Sequence, residues 1–461
     1  MRLYSILYYI RSQPDVVRDS LVKRGYDPKL LDDAINLDTL WRKYQRELDE
    51  LRHKKNVITK NIGGASPEER GRLIEEARRI DAEVTELNNK VREIKAKLDK
   101  VLSSIPNIVS DDVPIGDESK NKVIRVWGKA KVMKRHLNAF IDSLQGFKMD
   151  YEVIDYDIKP HADWTEGTGL GDTARAAKVA GARFYYLIDD LVYLDLALIM
   201  YAIDYLSKKG YKIIEPPHMI RRRAYEGVVT FEAFEDTLYK IEDEDLYLIA
   251  TSEHPLAAYF MDEVLEEREL PIKFAGVSPC YRKEATAHGR DMKGIFRVHQ
   301  FNKVEQFIFS LPGDSPKYHE EILNNAEELF RGLEIPYRIV IIASEDMNRL
   351  AIKQYDLEAW MPSQGKFREM VSASNCTDWQ SYRLNIRYAE RRGMPSKGYV
   401  HTLNSTAIAT QRTITAIIEN HQEPDGTVII PKVLRKYLEV FSEAPKEAIY
   451  PVKKVGGRLR L

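Results

Sequence analysis

The sequence predicts an α+β protein in which a mostly antiparallel sheet is flanked by helices and preceded by an antiparallel, coiled-coil helical arm. Two observations support this prediction. Early in the chain, apolar residues recur at alternating intervals of three and four, the spacing of a helical coiled coil. Farther along, between residues 211 and 343, short apolar and β-branched segments cluster with few helical patterns between them, which is typical of an antiparallel sheet.

The arm is predicted as two long helices joined by a tight turn. The turn is the Gly-Gly-Ala-Ser-Pro sequence at residues 63–67. Ser66 suits the N-cap of the second helix, Pro67 suits its first position, and Glu69 completes a capping box. The second helix is therefore expected over residues 67–102, with a length of about 50 Å. Its apolar stripe consists of Ala77, Ile80, Val84, Leu87, Val91, Ile94, Leu98 and Val101.

A change of composition separates the arm from the rest of the chain. Residues 103–121 include Pro106, Pro114 and several small polar residues, which is typical of a domain boundary. The length of 461 residues also favours more than one domain. We therefore predict an N-terminal domain over residues 1–110 and a larger domain over residues 111–461.

The distribution of charge makes the arm a candidate nucleic-acid contact. The chain has 70 Lys and Arg against 71 Asp and Glu, a formal net charge of -1, which excludes a uniformly basic surface. Within residues 39–102, however, 16 basic residues outnumber 12 acidic ones. The basic cluster on the first helix is either a phosphate-contacting surface or an ordinary solvated coiled-coil face. This cluster contains Arg42, Lys43, Arg46, Arg52, Lys54 and Lys55.

Composition also excludes several classes of protein. The two cysteines, Cys280 and Cys376, exclude a disulfide framework and a zinc site of three or four thiolates. The most apolar long stretch, residues 184–206, contains four aspartates, so it is not expected to cross a membrane. Because no targeting signal is visible either, the predicted location is the cytoplasm.

The densest group of charged residues lies at residues 276–305, where two strand-like segments flank a polar loop. Alternation predicts that Arg282 and Glu284 share a sheet face in the first segment, as do Arg297 and Phe301 in the second. Arginines suit phosphate, an aromatic ring suits a stacked base, and carboxylates suit an amine or a ribose. A solvent-facing charged sheet is the alternative interpretation. The sequence contains neither a Walker loop nor a G-x-G-x-x-G motif.

Three ordered segments resemble the motifs of the class II aminoacyl-tRNA synthetases. Residues 211–220, in which Pro216 and Pro217 follow an apolar strand, resemble motif 1. Residues 276–305 resemble motif 2, and residues 403–422, which open an amphipathic helix, resemble motif 3. The resemblance implies the class II fold, an antiparallel sheet flanked by helices.

Within this class the chain resembles the seryl-tRNA synthetases, including their helical arm. The resemblance implies ATP-dependent activation of L-serine to seryl-adenylate, with Mg²⁺, and transfer of the seryl group to tRNA-Ser or, as a further acceptor, tRNA-Sec. It also implies a homodimer. The residues that resemble the family are Thr251-Ser252-Glu253, Arg297 to Phe301 with Glu305, residues 356–362, Arg368-Glu369, residues 372–375 and residues 403–406.

The resemblance further implies roles for individual residues. Arg282, Glu369 and Arg412 are expected to be catalytic, and Glu369 and Ser372 to hold Mg²⁺. The implied serine pocket contains Thr251, Ser252, Glu253, Arg282, Glu305, Asn404 and Thr406. The implied ATP site contains Arg282, Glu284, Arg297, Val298, Phe301, Glu369, Ser372 and Arg412.

Two other functions compete with tRNA charging. A relative of the synthetases that loads an amino acid onto a protein would resemble the catalytic half, but such proteins usually lack the arm. A non-enzymatic scaffold with the same fold would be expected to have lost ATP-binding residues, and the sequence retains them. Amino-acid-dependent exchange of pyrophosphate into ATP, followed by tRNA charging, separates the three possibilities.

Overall fold

The computed structural model describes residues 5–284 and 293–451 of the chain. The chain divides into two compact units, Ile6–Ile108 and a larger unit whose main part begins at Val109. Each helix in the described residues is too short or too polar to span a membrane.

The smaller unit is helical, and its two longest helices form an antiparallel hairpin. These helices contain 34 and 38 residues. The predicted capping box is present: Ser66 Oγ accepts a hydrogen bond from the Glu69 amide at 3.4 Å, and the Glu69 carboxylate accepts one from the Ser66 amide at 3.2 Å. The predicted helical arm is therefore confirmed. The helices are α1 (Ser5–Ser12), α2 (Pro14–Lys23), α3 (Lys29–Ile62) and α4 (Pro67–Ser104). The buried seam of the hairpin contains Leu48, Ile58, Ile80, Val91, Ile94 and Leu98.

An eight-stranded sheet forms the centre of the larger unit. Its strands are β1 (Lys122–Trp127), β2 (Lys212–Ile214), β3 (Ile272–Tyr281), β4 (Gln300–Ser310), β5 (Tyr337–Ile341), β6 (Lys353–Met361), β7 (Lys366–Thr377) and β8 (His401–Ala409). They lie in the order β1-β5-β6-β7-β8-β4-β3-β2. Neighbouring strands are antiparallel except β2 and β3, which are parallel. The predicted α+β fold class is confirmed.

Helices bury the apolar face of this sheet. Leu198, Leu329 and Ile417, from three different helices, share one buried core with Ile308 and Leu357 of the sheet. Burial of such side chains supplies the main stabilisation of a domain of this kind. The helices of this unit are α5 (Leu137–Ser143), α6 (His161–Thr168), α7 (Thr173–Ala180), α8 (Asp190–Lys208), α9 (Arg222–Val228), α10 (Phe231–Phe234), α11 (Glu253–Ala257), α12 (Ser315–Gly332), α13 (Trp379–Arg383), α14 (Thr410–Asn420) and α15 (Lys432–Leu438).

Several small sheets lie beside the main one. A three-stranded sheet contains Val264–Glu266, Arg387–Ala389 and Gly398–Tyr399. The two-stranded pairs are Lys129–Met133 with Asp150–Ile154, Gly171–Asp172 with Tyr186–Leu187, Met219–Ile220 with Tyr247–Leu248, and Val428–Ile429 with Ala448–Ile449.

The predicted strands around the charged loop were too long. Strand β3 ends at Tyr281 and β4 begins only at Gln300, so Arg282, Glu284 and Arg297 lie outside the strands. Side chains alternate between the two faces only where the backbone is extended. Glu284 instead has a φ of 49°, in the left-handed region that breaks a strand. Residues 285–292 of the predicted loop lie outside the described residues.

Candidate active site

A cleft opens where β4, β7, β8 and the start of α14 come together. Its position follows from the sheet order, because β8 lies between β4 and β7 and leads directly into α14. Most of the residues expected to bind ATP line this one cleft. The lining residues are Arg282, Glu284, Phe296, Arg297, Val298, Phe301, Lys303, Glu369, Met370, Thr406, Ala409, Gln411 and Arg412.

One end of the cleft is rich in arginine. Arg297 Nε lies 3.1 Å from Glu284 Oε2, and Arg412 Nη1 lies 3.1 Å from Glu369 Oε1. Arg412 holds the pKa of the Glu369 carboxyl below its ordinary value, so this carboxylate is charged at neutral pH. Two guanidinium groups that are each held in place by a carboxylate form a suitable site for phosphate.

Arg282 connects this end of the cleft to an aromatic surface. Its guanidinium carbon lies 5.1 Å from the centre of the Phe301 ring, within the range of a cation–π contact. Its Nε donates a hydrogen bond to the Ala250 carbonyl at 3.2 Å. The side chain is thereby fixed beside a ring on which a planar base can stack.

Two carboxyl groups, those of Glu253 and Glu305, lie beyond the residues that line the cleft, and Glu305 contacts two of those residues, Lys303 and Thr406. Glu305 Oε2 lies 2.5 Å from Lys303 Nζ, and these side chains are 2% and 7% exposed. Thr406 Oγ1 donates to the same carboxylate at 3.5 Å. Burial, and secondly the charge of Glu305, raises the pKa of Glu253 to about 7. A cationic ligand such as an ammonium would favour the ionised form of Glu253.

Side-chain amides hold Glu253 in place. Its Oε1 accepts hydrogen bonds from Gln380 Nε2 at 3.0 Å and from Asn404 Nδ2 at 3.2 Å. Gln380 is itself fixed by Thr402, whose hydroxyl donates to Gln380 Oε1 at 2.7 Å. The predicted residues Glu253 and Asn404 therefore lie together, in direct contact.

The side chains of Thr251 and Ser252 instead form hydrogen bonds with backbone groups. Thr251 Oγ1 accepts from the Glu253 amide at 3.2 Å, and Ser252 Oγ donates to the Gly276 carbonyl at 3.3 Å. These bonds fix the start of α11 against β3. Gly276 permits this close approach, because a Cβ there would lie 2.7 Å from Leu256 Cδ1 and 2.8 Å from Ser252 Oγ.

A β-bulge brings the expected Mg²⁺ ligands to one face of the sheet. Strict alternation would place Glu369 and Ser372, three residues apart, on opposite faces. The pairing of β6 with β7 shifts register here, so that Asp356 lies opposite Ser372 and Glu358 opposite Glu369. Oxygen donors of this kind are those that Mg²⁺ prefers. Within the described residues, no group of three or more His, Cys, Asp and Glu side chains forms a ready-made metal site.

Two further residues of this site were assigned no role from the sequence. Alternation predicts that Lys303 lies on the same sheet face as Phe301 and Glu305, and Lys303 does line the cleft. Gln380 comes from α13, and no sequence signal distinguishes it from any other buried amide.

The basic cluster of the arm is largely paired within the arm. Arg42 Nε lies 2.9 Å from Asp38 Oδ2, Lys54 Nζ lies 3.3 Å from Glu76 Oε1, and Lys55 pairs with Asp81. Arg52 donates to Asn88 Oδ1 at 3.2 Å. Among the described residues, Lys43 and Arg46 form no ion pair. These two are the basic side chains of the cluster that are most available to a ligand.

Comparison with known proteins agrees with the geometry of both units. Residues 7–109 match the model of the seryl-tRNA synthetase N-terminal domain, and residues 237–421 match that of the class II tRNA synthetase core domain (G, H, P, S and T). The serine–tRNA ligase of Archaeoglobus fulgidus is 59% identical over 454 residues, covering 98% of this chain and all of that protein. The chain belongs to the seryl-tRNA synthetase family. Members of this family activate serine with ATP and charge tRNA with it.

Other members of the family show the same agreement. The serine–tRNA ligase of Hyperthermus butylicus is 57% identical over 459 residues, covering 98% of this chain and all of that protein. The crystal structure of seryl-tRNA synthetase from Pyrococcus horikoshii, complexed with ATP, has a TM-score of 0.89 and 52% identity, with 98% of this chain and all of that chain covered. The predicted family membership is confirmed.

Proposed function

We propose that this chain activates L-serine with ATP to give seryl-adenylate, and that it transfers the seryl group to tRNA-Ser. The observation that supports this most directly is the arrangement of opposite charges along one cleft. Three arginines line the cleft, and Lys303 and Thr406 of the same cleft contact Glu305, whose charge helps to raise the pKa of Glu253. The phosphates of a nucleoside triphosphate suit the arginines, and the ammonium group of a small amino acid suits the two carboxyl groups.

The carboxylate pair accounts for the choice of serine. Glu253 and Glu305 hold the ammonium group, and Thr406 lies within hydrogen-bond distance of Glu305, where it can close the pocket over the serine hydroxyl. A pocket that bonds this hydroxyl disfavours alanine, because alanine would leave buried polar groups unpaired.

The first step needs no protein base. The serine carboxylate is already ionised and attacks the α-phosphorus of ATP, while the bond to pyrophosphate breaks. Arg282 neutralises charge at the α-phosphate, and Arg297 and Arg412 hold the terminal phosphates. Phe301 stacks on the adenine, and Glu284 and Val298 line the nucleotide side. In the second step the terminal ribose hydroxyl of tRNA attacks the seryl carbonyl, and AMP leaves.

Glu369 and Ser372 are the residues that would hold Mg²⁺. Their place on one face of β7, beside the arginines, suits this role. The ion would neutralise negative charge on the phosphates.

The proposed polynucleotide partner is tRNA-Ser, with tRNA-Sec as a further acceptor. The arm is the proposed contact with tRNA, through the basic cluster Arg42, Lys43, Arg46, Arg52, Lys54 and Lys55. The proposed location of the protein is the cytoplasm. A phosphate backbone is recognised by such basic groups, with a strong dependence on salt.

The proposed assembly is a homodimer. Helix α8 presents Val192 and Leu196, which are 39% and 38% exposed, on the same face as Ile199 and Ile203. Strand β2, at the edge of the main sheet, adds Ile213, which is 42% exposed. An apolar surface of this kind beside an open strand edge favours association with a second copy.

The test is exchange of labelled pyrophosphate into ATP with each of the twenty amino acids, followed by charging of tRNA. We expect serine alone to support exchange and tRNA-Ser to be charged. A stronger signal with alanine, glycine or threonine would overturn the choice of serine. Exchange without tRNA charging would favour a protein acceptor, and no exchange at all would favour a scaffold.

Glu305→Ala provides a companion test of the pocket. We expect it to abolish serine-dependent exchange, because the ammonium loses a carboxylate and Lys303 loses its partner. Circular dichroism and the melting temperature show whether the variant is folded. Serine-dependent exchange at the wild-type KM in a folded variant would refute the assignment of this pocket.

A further inference from the structure

Two arginine side chains contact the ring of Phe296 at the phosphate end of the cleft. The guanidinium carbon of Arg368 is 4.1 Å from the centre of the ring, and that of Arg412 is 5.2 Å from it. Phe296 is 5% exposed and lines the cleft. An aromatic face at this distance attracts a guanidinium group, and the attraction is stronger where water is excluded.

The backbone beside Phe296 is held against the helix that presents Arg412. Gly294 has a φ of +80°, and a Cβ there would lie 2.3 Å from His161 Nε2, so this segment packs directly on the His161 ring. The other ring nitrogen, Nδ1, lies 3.2 Å from Glu419 Oε1. Glu419 and Arg412 both belong to α14. The segment that contains Phe296 is therefore linked, through His161 and Glu419, to the helix that presents Arg412.

The second carboxylate oxygen of Glu419 is also held by hydrogen bonds. Glu419 is fully buried, and its Oε2 accepts hydrogen bonds from the Ser363 hydroxyl at 2.6 Å and from the Ser363 amide at 3.1 Å. The contact of His161 with α14 is therefore part of a buried polar network, and such networks restrict the positions of their members.

We propose that Phe296 is a positioning residue for Arg412, holding its guanidinium group where the terminal phosphates of ATP bind. This inference rests on the proposed ATP site. Within the described residues, the Arg412 guanidinium also contacts Glu369, which is a proposed Mg²⁺ ligand and therefore has a second role when ATP is bound. Phe296 is not a proposed ligand of Mg²⁺ or of a phosphate, so binding of ATP does not give its ring a second role, although Arg368 shares the ring with Arg412.

The test compares Phe296→Leu and Phe296→Met with Phe296→Tyr in serine-dependent pyrophosphate exchange. Leucine and methionine keep an apolar side chain but remove the ring face. We expect both to raise the KM for ATP about three- to fivefold, with the KM for serine unchanged. Tyrosine keeps the ring and should restore the KM for ATP to within about twofold of the wild type.

Inhibition by AMP separates positioning of Arg412 from general loosening of the cleft. AMP lacks the terminal phosphates, so its inhibition constant should stay at the wild-type value in Phe296→Leu. The matched control is Phe330→Leu, which removes a ring from the same core but from α12, outside the lining of the cleft. It should lower the melting temperature and leave the KM for ATP unchanged.

Three results would overturn the inference. These are an unchanged KM for ATP in Phe296→Leu, an equal weakening of AMP and ATP, and an equal rise of KM in Phe330→Leu. A wild-type protein that shows no serine-dependent exchange would instead refute the proposed function, so the two failures can be told apart.

Discussion

The arm and the active-site cleft contain the same kinds of charged side chain in very different surroundings. In the arm, Lys54 and Glu76 form a pair whose side chains are 54% and 38% exposed. In the cleft, Lys303 and Glu305 are 7% and 2% exposed. Exposed pairs of the first kind contribute about 0–1 kcal/mol, whereas removing one partner of a buried pair costs about 3–5 kcal/mol. Removing a single charge is therefore expected to cost less stability at Lys54 or Glu76 than at Lys303 or Glu305.

The largest expected effect is the loss of tRNA charging when the arm is removed, while serine activation in the cleft is retained. Replacing Gln45–Asn89 by a short Gly-Ser linker should lower tRNA charging at least about 1000-fold, because most of the arm is lost together with Arg46, Arg52, Lys54 and Lys55 of the basic cluster. Tyr44 and Lys90 face each other across the hairpin, with Lys90 Nζ 4.3 Å from the centre of the Tyr44 ring, so a cut here keeps the remaining helices in register. Serine-dependent pyrophosphate exchange is the internal control and should stay within about threefold. Charging at the wild-type rate would show that the arm has no role in tRNA binding.

The second effect concerns a buried charge of the cleft. Because the pKa of Glu253 is raised to about 7, this group is protonated in the free protein at lower pH and cannot hold the serine ammonium. The kcat/KM for serine should therefore fall about tenfold per pH unit below pH 7. In Glu253→Gln this dependence should be absent, with a lower value throughout. A wild-type profile that is flat between pH 5 and 7 would contradict the prediction.

The same group links stability to pH. Between about pH 4.5 and pH 7 the folded protein keeps a proton that the unfolded chain has lost, so stability falls as pH rises through this window. Glu253→Gln removes this loss and should be more stable than the wild type at pH 8, by at most about 3 kcal/mol. The gain should vanish below pH 4.5, and chemical denaturation at the two pH values measures it.

The smallest effect distinguishes paired from unpaired charges within the arm. Lys43→Ala and Arg46→Ala should each raise the KM for tRNA about two- to threefold and lower the salt dependence of binding by about one contact. Lys55→Ala is the matched control, since Lys55 already pairs with Asp81, and it should have a smaller effect. Equal effects at the three positions would show that ion pairing within the arm does not decide which charges are available.

The arm could be predicted closely because its pattern is local. A regular seam of apolar residues specifies two paired helices wherever it occurs, and Ser66 and Glu69 lie close enough in sequence to fix the start of α4. No contact with a distant part of the chain was needed for either prediction.

Motif resemblance predicted most of the side chains that line the cleft. Strand periodicity, in contrast, placed Arg282, Glu284 and Arg297 in strands, and all three lie outside them. It also could not foresee the bulge that places Glu369 and Ser372 on one face. A bulge depends on how two strands align, which the sequence of one strand does not contain. The amide of Gln380 was missed for the same reason, since its role depends on a contact with Glu253 across 127 residues.

Gly276 has a consequence for protein engineering. A side chain at this position would meet the side chains of Leu256 and Ser252, which would have to shift. Ser252 directly precedes Glu253 at the start of α11, so Gly276→Ala is a natural member of a library designed to change the surroundings of the Glu253 carboxyl group.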